Sequence, residues 1–170
     1  APVAGRISMA KNHLILPAQY ANDQAACQRD GEQHMPSLSK IYAAYQARLF
    51  QVNAMDFDDL LVNTFLLLRD HPETRRKYAS LFRYILVDEY QDTNAVQVSI
   101  VQLLSEGLQR VCVVGDDYQS IYSFRGANID NILDFQHQYP NALLFKLERN
   151  YRSTQTIVEA ANSIMQKNRR

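Results

Sequence analysis

The sequence lacks most of the features that give a function away. Lys+Arg and Asp+Glu are 18 each across 170 residues, so the chain taken whole has no basic footprint of the kind nucleic-acid binding leaves. It has only two cysteines, Cys27 and Cys112, far apart and in unlike surroundings. They fit neither a metal spacing nor a disulfide framework, and a reducing cytoplasm is the compartment expected. No apolar run approaches the roughly 18 residues of a membrane-spanning helix. The opening Ala1-Pro2-Val3-Ala4-Gly5-Arg6 lacks the basic and apolar regions of a signal peptide. None of the five glycines is followed by lysine, so these residues contain no Gly-x-x-x-x-Gly-Lys-[Ser/Thr] phosphate loop. There is no internal repeat or low-complexity segment.

What is present is a foldable chain with uneven charge. Hydrophobic residues make up 46% and charged residues 21%, enough for a core and unlike a disordered segment. The length suits one domain, or one domain with a small appendage. Between residues 86 and 134 the acids are Asp88, Glu89, Asp92, Glu106, Asp116, Asp117, Asp130 and Asp134, opposed only by Arg110 and Arg125. Between 141 and 170 the sign reverses: Lys146, Arg149, Arg152, Lys167, Arg169 and Arg170 face Glu148 and Glu159. The two stretches are suited to different tasks.

Residues 1–36 are weakly patterned, with Pro17 and Pro36 as punctuation. Leu38, Ile41, Tyr42, Tyr45 and Leu49 recur at helical steps and predict an amphipathic helix from Ser37 to about Phe50. A second helix is expected from Asp56, a capping acid, to just before Pro72. Three short apolar runs then read as buried parallel strands: 84–87, 111–114 and 143–147. Helices are expected between and after them, near 95–104, 129–136 and 154–166, the last capped by Ser153. The layout is α/β, and polar residues cluster after each strand, where open α/β sheets bind ligands.

Three clusters carry the chemistry. The first, Ile85-Leu86-Val87-Asp88-Glu89-Tyr90-Gln91-Asp92-Thr93-Asn94, is an apolar strand ending in two acids. One fixed carboxylate suffices for Mg²⁺, which keeps most of its waters, and a neighbour can deprotonate an attacking water. The plainer alternative is a solvated turn with Asp92 or Thr93 as helix cap. The second cluster, Gly115-Asp116-Asp117-Tyr118-Gln119 through Tyr122, Phe124 and Arg125, pairs a neutral phosphate-sensing group with an aromatic and basic set that stacks on unpaired bases. The alternative there is a turn with core aromatics. In the third, Glu148-Arg149-Asn150-Tyr151-Arg152-Ser153, Arg152 suits a phosphate oxygen and Tyr151 a nucleobase; a basic turn with a routine cap is the alternative.

In order and spacing these clusters resemble motifs II, III and IV of the UvrD/Rep/PcrA-type superfamily 1 DNA helicases. Ile7-Ser8-Met9-Ala10-Lys11-Asn12 is similar to that family's accessory 1B region, and Asn53-Ala54-Met55-Asp56-Phe57-Asp58-Asp59-Leu60-Leu61 to the segment leading into motif II. The resemblance implies a partial RecA-like parallel sheet with flanking helices and a small helical accessory region. Residues 1–54 would belong to domain 1B and 55–170 to the C-terminal part of motor domain 1A. It further implies Asp88 as Mg²⁺ ligand, Glu89 as general base for ATP hydrolysis, and Gln119 at the γ-phosphate or its water. Arg152 would contact the γ-phosphate and Tyr151 the adenine. Phe124 would stack on single-stranded DNA with Tyr122 and Arg125 beside it. Phe124 stands where the family often has tryptophan, which leaves a smaller stacking face.

The resemblance thus implies Mg²⁺ and ATP, single-stranded DNA and single-strand/duplex junctions as partners, and 3′ to 5′ movement. With no phosphate loop, the expectation is a fragment of such a helicase, inactive alone and open to dimerisation or domain swapping at an uncovered sheet edge. Two other classes compete. A metal-dependent nuclease would use Asp88, Glu89, Asp116 and Asp117 but leaves the Gln119, Phe124 and Arg152 clusters idle. A non-catalytic DNA-binding relic has no use for the hydrolysis residues.

Overall fold

Several helices begin in this chain where the sequence supplies a cap or a proline. In the computed structural model the described residues are 2–108, 110–116, 119 and 130–165. They fall into two compact units, 1–140 and 141–170.

The first unit opens with helices α1 (Pro2–Asn12), α2 (Pro17–Asn22), α3 (Gln24–Glu32) and α4 (Leu38–Gln51). Pro17 takes the first position of α2, where a missing N–H costs nothing. Asp23 caps α3 by accepting from the Ala26 N–H at 3.0 Å. Their shared core is Ile7, Ala10, Tyr20, Ala26, Leu38 and Tyr42. Within it Tyr20 meets Tyr42 edge to face, and the Tyr20 hydroxyl donates to Asp30 at 2.8 Å. Burial foremost, then that bond, pushes the Tyr20 phenol up to about 12.

Next come α5 (Phe57–Asp70) and α6 (Pro72–Leu81). Asp56 caps α5 as expected, and Asp59 returns the bond in a reciprocal box: Asp59 N–H donates to Asp56 at 2.8 Å and Asp56 N–H to Asp59 at 3.2 Å. Pro72, read as the end of a helix, is also the start of the next. The strands are β1 (Ile85–Val87) and β2 (Val111–Val113), parallel, with Ile85 opposite Val111, Leu86 opposite Cys112 and Val87 opposite Val113. Between them lie a 3₁₀ turn (Tyr90–Asp92) and α7 (Ala95–Ser105); α8 (Asp130–Leu133) and α9 (Phe135–Gln138) close the unit. The helix expected over 129–136 is therefore two short ones, divided at Asp134. Helix α5 packs on α1, α6 and α7. Tyr90, the buried first residue of the 3₁₀ turn, meets the Phe135 ring edge to face at 5.6 Å.

The second unit contains α10 (Gln155–Met165). The third strand, expected over 143–147, is not formed: Leu143, Leu144, Phe145 and Leu147 are exposed and have no ladder bonds among the described residues. An apolar run becomes a strand only when a neighbouring strand takes its N–H and C=O groups. The two strands that do form are half-buried, not buried on both faces. Ile85, Val87, Val111 and Val113 point one way, while Leu86 and Cys112 are exposed on the other side. The result is mixed α/β, mostly helical with a small parallel sheet, the partial RecA-like arrangement. Among the described residues no helix is long and apolar enough to cross a membrane.

Candidate active site

Strand β1 delivers its polar residues to one end of the sheet. Val87 still pairs, its carbonyl accepting from the Val114 N–H at 2.8 Å. The chain then turns sharply at Glu89, which adopts the left-handed conformation (φ 51°, ψ 44°). A residue with a Cβ occupies that region only at a cost in strain. The turn is held on both sides: Asp88 Oδ1 accepts from the Glu89 N–H at 2.9 Å, and the Tyr90 N–H donates to the Val114 carbonyl at 2.9 Å. Thr93 and Asn131 pin the following turn, the Thr93 hydroxyl donating to the Tyr90 carbonyl and the Asn131 amide to the Thr93 carbonyl.

This geometry leaves Asp88 and Glu89 exposed at the mouth of a groove of about 440 Å³. Val87, Asp92, Gln97 and Ile100 contribute to its walls. Two adjacent carboxylates beside a cleft at the C-terminal end of a parallel strand can hold a divalent cation and handle a proton.

The exit from β2 meets this turn through Gln91. Its Nε2 donates to Glu89 Oε2 at 2.7 Å, and its Oε1 accepts from the Asp116 N–H at 3.0 Å. Asp116 Oδ2 in turn accepts from Gln119 Nε2 at 2.9 Å. A Cβ on Gly115 would lie 2.5 Å from Gln91 Oε1 and 2.8 Å from Ile132 Cδ1, so any side chain there would push the Gln91 amide aside.

The family model for the UvrD/REP helicase N-terminal domain matches residues 2–140. The chain belongs to the UvrD/REP helicase family. Its relatives include the proteins named ATP-dependent DNA helicase PcrA from Leuconostoc citreum and Bacillus subtilis, each 45% identical over 98% of this chain. The PcrA of Staphylococcus aureus strain Mu50 is 45% identical over 96% of it. The chain spans about a fifth of the length of these relatives, 21% of the first and 22% of the other two.

For a member of the UvrD/REP family, the sequence-predicted residues fall into three groups. Asp88, Glu89 and Gln119 lie in the first unit, with Glu89 and Gln119 linked through Gln91 and Asp116. Tyr151 and Arg152 lie in the second unit, both exposed on a turn made by Asn150 Oδ1, which accepts from the Arg152 and Ser153 N–H groups at 2.9 Å each. The guanidinium of Arg149 sits over the Tyr151 ring, 5.2 Å from its centroid. Asn150 thus organises the turn in place of the expected Ser153 cap, and the carbonyl of Thr154 opens α10. Tyr122, Phe124 and Arg125 lie outside the described residues, as does Asp117.

Sequence reasoning passed over four residues. Gln91 is one. The others hold the helical region against the site. Asn94, and neither Asp92 nor Thr93, caps α7, its Oδ1 accepting from the Gln97 N–H at 3.0 Å. Its amide donates to Asn12 at the end of α1, and Asn12 donates to Asp58 at 3.0 Å. Lys11, 1% exposed, donates to Asp56 and Asp59 at 2.7 Å each. No local signal marked them: that Lys11 needs an acid partner follows only from its burial in the folded chain.

Proposed function

We propose that these residues are part of an ATP-dependent DNA helicase that couples ATP hydrolysis to 3′ to 5′ movement on single-stranded DNA. In this reading residues 1–54 serve as accessory domain 1B and 55–170 as the C-terminal part of motor domain 1A. The phosphate loop and second motor domain lie elsewhere in the whole protein, and these residues alone do not turn over ATP. The observation that carries the reading is the exposed Asp88–Glu89 pair at the end of a parallel strand, tied through Gln91 to the loop bearing Gln119. Membership of the UvrD/REP family supports it.

The donor chemistry fits Mg²⁺, an oxygen-seeking cation that needs few protein ligands. Asp88 would hold it, and the bound ion supplies charge neutralisation at the phosphates. Glu89 orients the attacking water and takes its proton at Oε1, because Oε2 is engaged by Gln91. Gln119 senses the terminal phosphate and carries its state toward Phe124, which stacks on a base of single-stranded DNA with Tyr122 and Arg125 beside it; single-strand/duplex junctions are the wider partner. Arg152 meets the γ-phosphate and Tyr151 stacks on adenine. The setting is the cytoplasm, and two copies can pair.

The test is Glu89→Gln in the whole helicase. ATP turnover is expected to be abolished while nucleotide binding is spared; normal turnover sinks the general-base role. Phe124→Ala is expected to weaken single-strand binding by about 1–3 kcal/mol, the worth of one stacked base. Unchanged affinity removes Phe124 from the DNA channel.

A further inference from the structure

We propose that Gln91 is a positioning residue: its side-chain amide fixes the Glu89 carboxylate and joins it to the loop after β2. The inference rests on Glu89 being the general base. Gln91 is 1% exposed, yet it lies one turn from two exposed acids. Its amide orientation is dictated by its partners. A carboxylate only accepts, so Nε2 faces Glu89 Oε2; a backbone N–H only donates, so Oε1 faces Asp116 N.

Both ends of this bridge matter. Glu89 sits on a strained left-handed turn, and its side chain has one partner among the described residues, Gln91. Without that bond the carboxylate swings freely about its χ angles, and a base misplaced by about 1 Å loses up to about a hundred-fold in rate. At the other end the Asp116 N–H is fixed by the same amide, and Asp116 Oδ2 takes the bond from Gln119. Proton acceptor and phosphate sensor therefore share one rigid support. Gly115 makes room for it, since a Cβ there would fall 2.5 Å from Gln91 Oε1.

The test uses the whole helicase and four variants. Gln91→Met keeps the length and packing of the side chain while deleting both hydrogen bonds. Gly115→Ala leaves Gln91 in place but drives its amide aside. The double variant combines them, and Glu89→Gln is the control for the underlying reading. DNA-stimulated ATP hydrolysis is measured for kcat and KM. Gln91→Met is expected to lower kcat by about ten- to a hundred-fold with KM for ATP within about two-fold, since the defect lies in the chemical step. Gly115→Ala lowers kcat as well, and the double variant is no slower than the slower single, because both act through one amide.

Unchanged kcat in Gln91→Met, with Glu89→Gln inactive, overturns the positioning role and leaves the helicase reading intact. Normal turnover in Glu89→Gln overturns both. A KM that rises in step with the loss of kcat shows that Gln91 merely holds the fold, and multiplicative losses in the double variant deny the shared route. If Gln91→Met does not fold, wild-type kcat in Gly115→Ala is sufficient to overturn the proposal.

Discussion

Two pairs of acids, Asp58-Asp59 in Phe-Asp-Asp-Leu and Asp88-Glu89 in Val-Asp-Glu-Tyr, look alike on paper and sit in opposite environments. Asp59 is 2% exposed and shares the Lys11 ammonium with the capping Asp56. Gln46 donates to Asp59 and the Tyr45 hydroxyl to Asp56, at 2.9 Å each, with the Tyr45 ring 5.2 Å from the Lys11 nitrogen. This network is closed around a buried cation and ties α1, α4 and α5 together. Asp88 and Glu89 have no cation near them in the described structure and open onto a groove. Among the described residues only one oxygen of each is taken by a hydrogen bond, Asp88 by a backbone N–H and Glu89 by Gln91. An acid already paired with a buried lysine is structural; an acid left facing a cleft is available for chemistry.

Lys11→Met breaks the comparison most severely. It strands Asp59 as a buried charge without a counter-ion, and should lower the local unfolding free energy by about 3–5 kcal/mol. Hydrogen exchange of the α1 and α5 amides reads this directly. Asp88→Asn combined with Glu89→Gln should leave the same amides within about 0.5 kcal/mol of wild type, the range for exposed sites.

Asn94→Ala sharpens the boundary between the two regions. It removes the α7 cap and the partner of Asn12, and should cost about 0.5–2 kcal/mol, read in the exchange of the first α7 turn.

The smallest effect is on acid stability. Burial pushes the Asp56 carboxyl up, but bonds from Lys11, the Asp59 N–H and Tyr45 outweigh it and hold it below its ordinary 3.8. A depressed carboxyl contributes stability that is fully present above 3.8 and is lost as pH falls through the folded value. Asp56→Asn still caps α5 and should flatten the acid limb of an unfolding titration below that pH; an unchanged limb removes Asp56 from the network's charge balance.

How legible each part was depends on where its cause lies. Helices α4, α5 and α7 were readable because their apolar residues repeat at helical steps and Asp56 is a cap with a local partner. The individual helices α1 to α3 and α6 were not legible in the pattern, although the family resemblance implied a helical region over 1–54. They are short or weakly striped, and Pro17 and Pro72, read as breaks, are starts. The run at 143–147 looked like a strand because composition records β preference, whereas a strand also needs a neighbour. At the site, Asp88 and Glu89 could be read from the strand's end. Gln91, Asn94, Lys11 and Asn12 could not, because each also has a partner distant in sequence: Gln91 and Asp116, Asn12 and Asn94, and Lys11 and Asp59 meet only once the chain has folded.

The difference between the two acid pairs reduces to one quantity, ATP turnover per folded molecule in the whole helicase. Glu89→Gln should remain folded and lose about 10²-fold or more of that rate, the usual worth of a general base. Lys11→Met should yield fewer folded molecules, each turning over within a few-fold of wild type. If folded Lys11→Met is as inactive as Glu89→Gln, or if Glu89→Gln turns over normally, the division between a structural and a chemical pair is wrong.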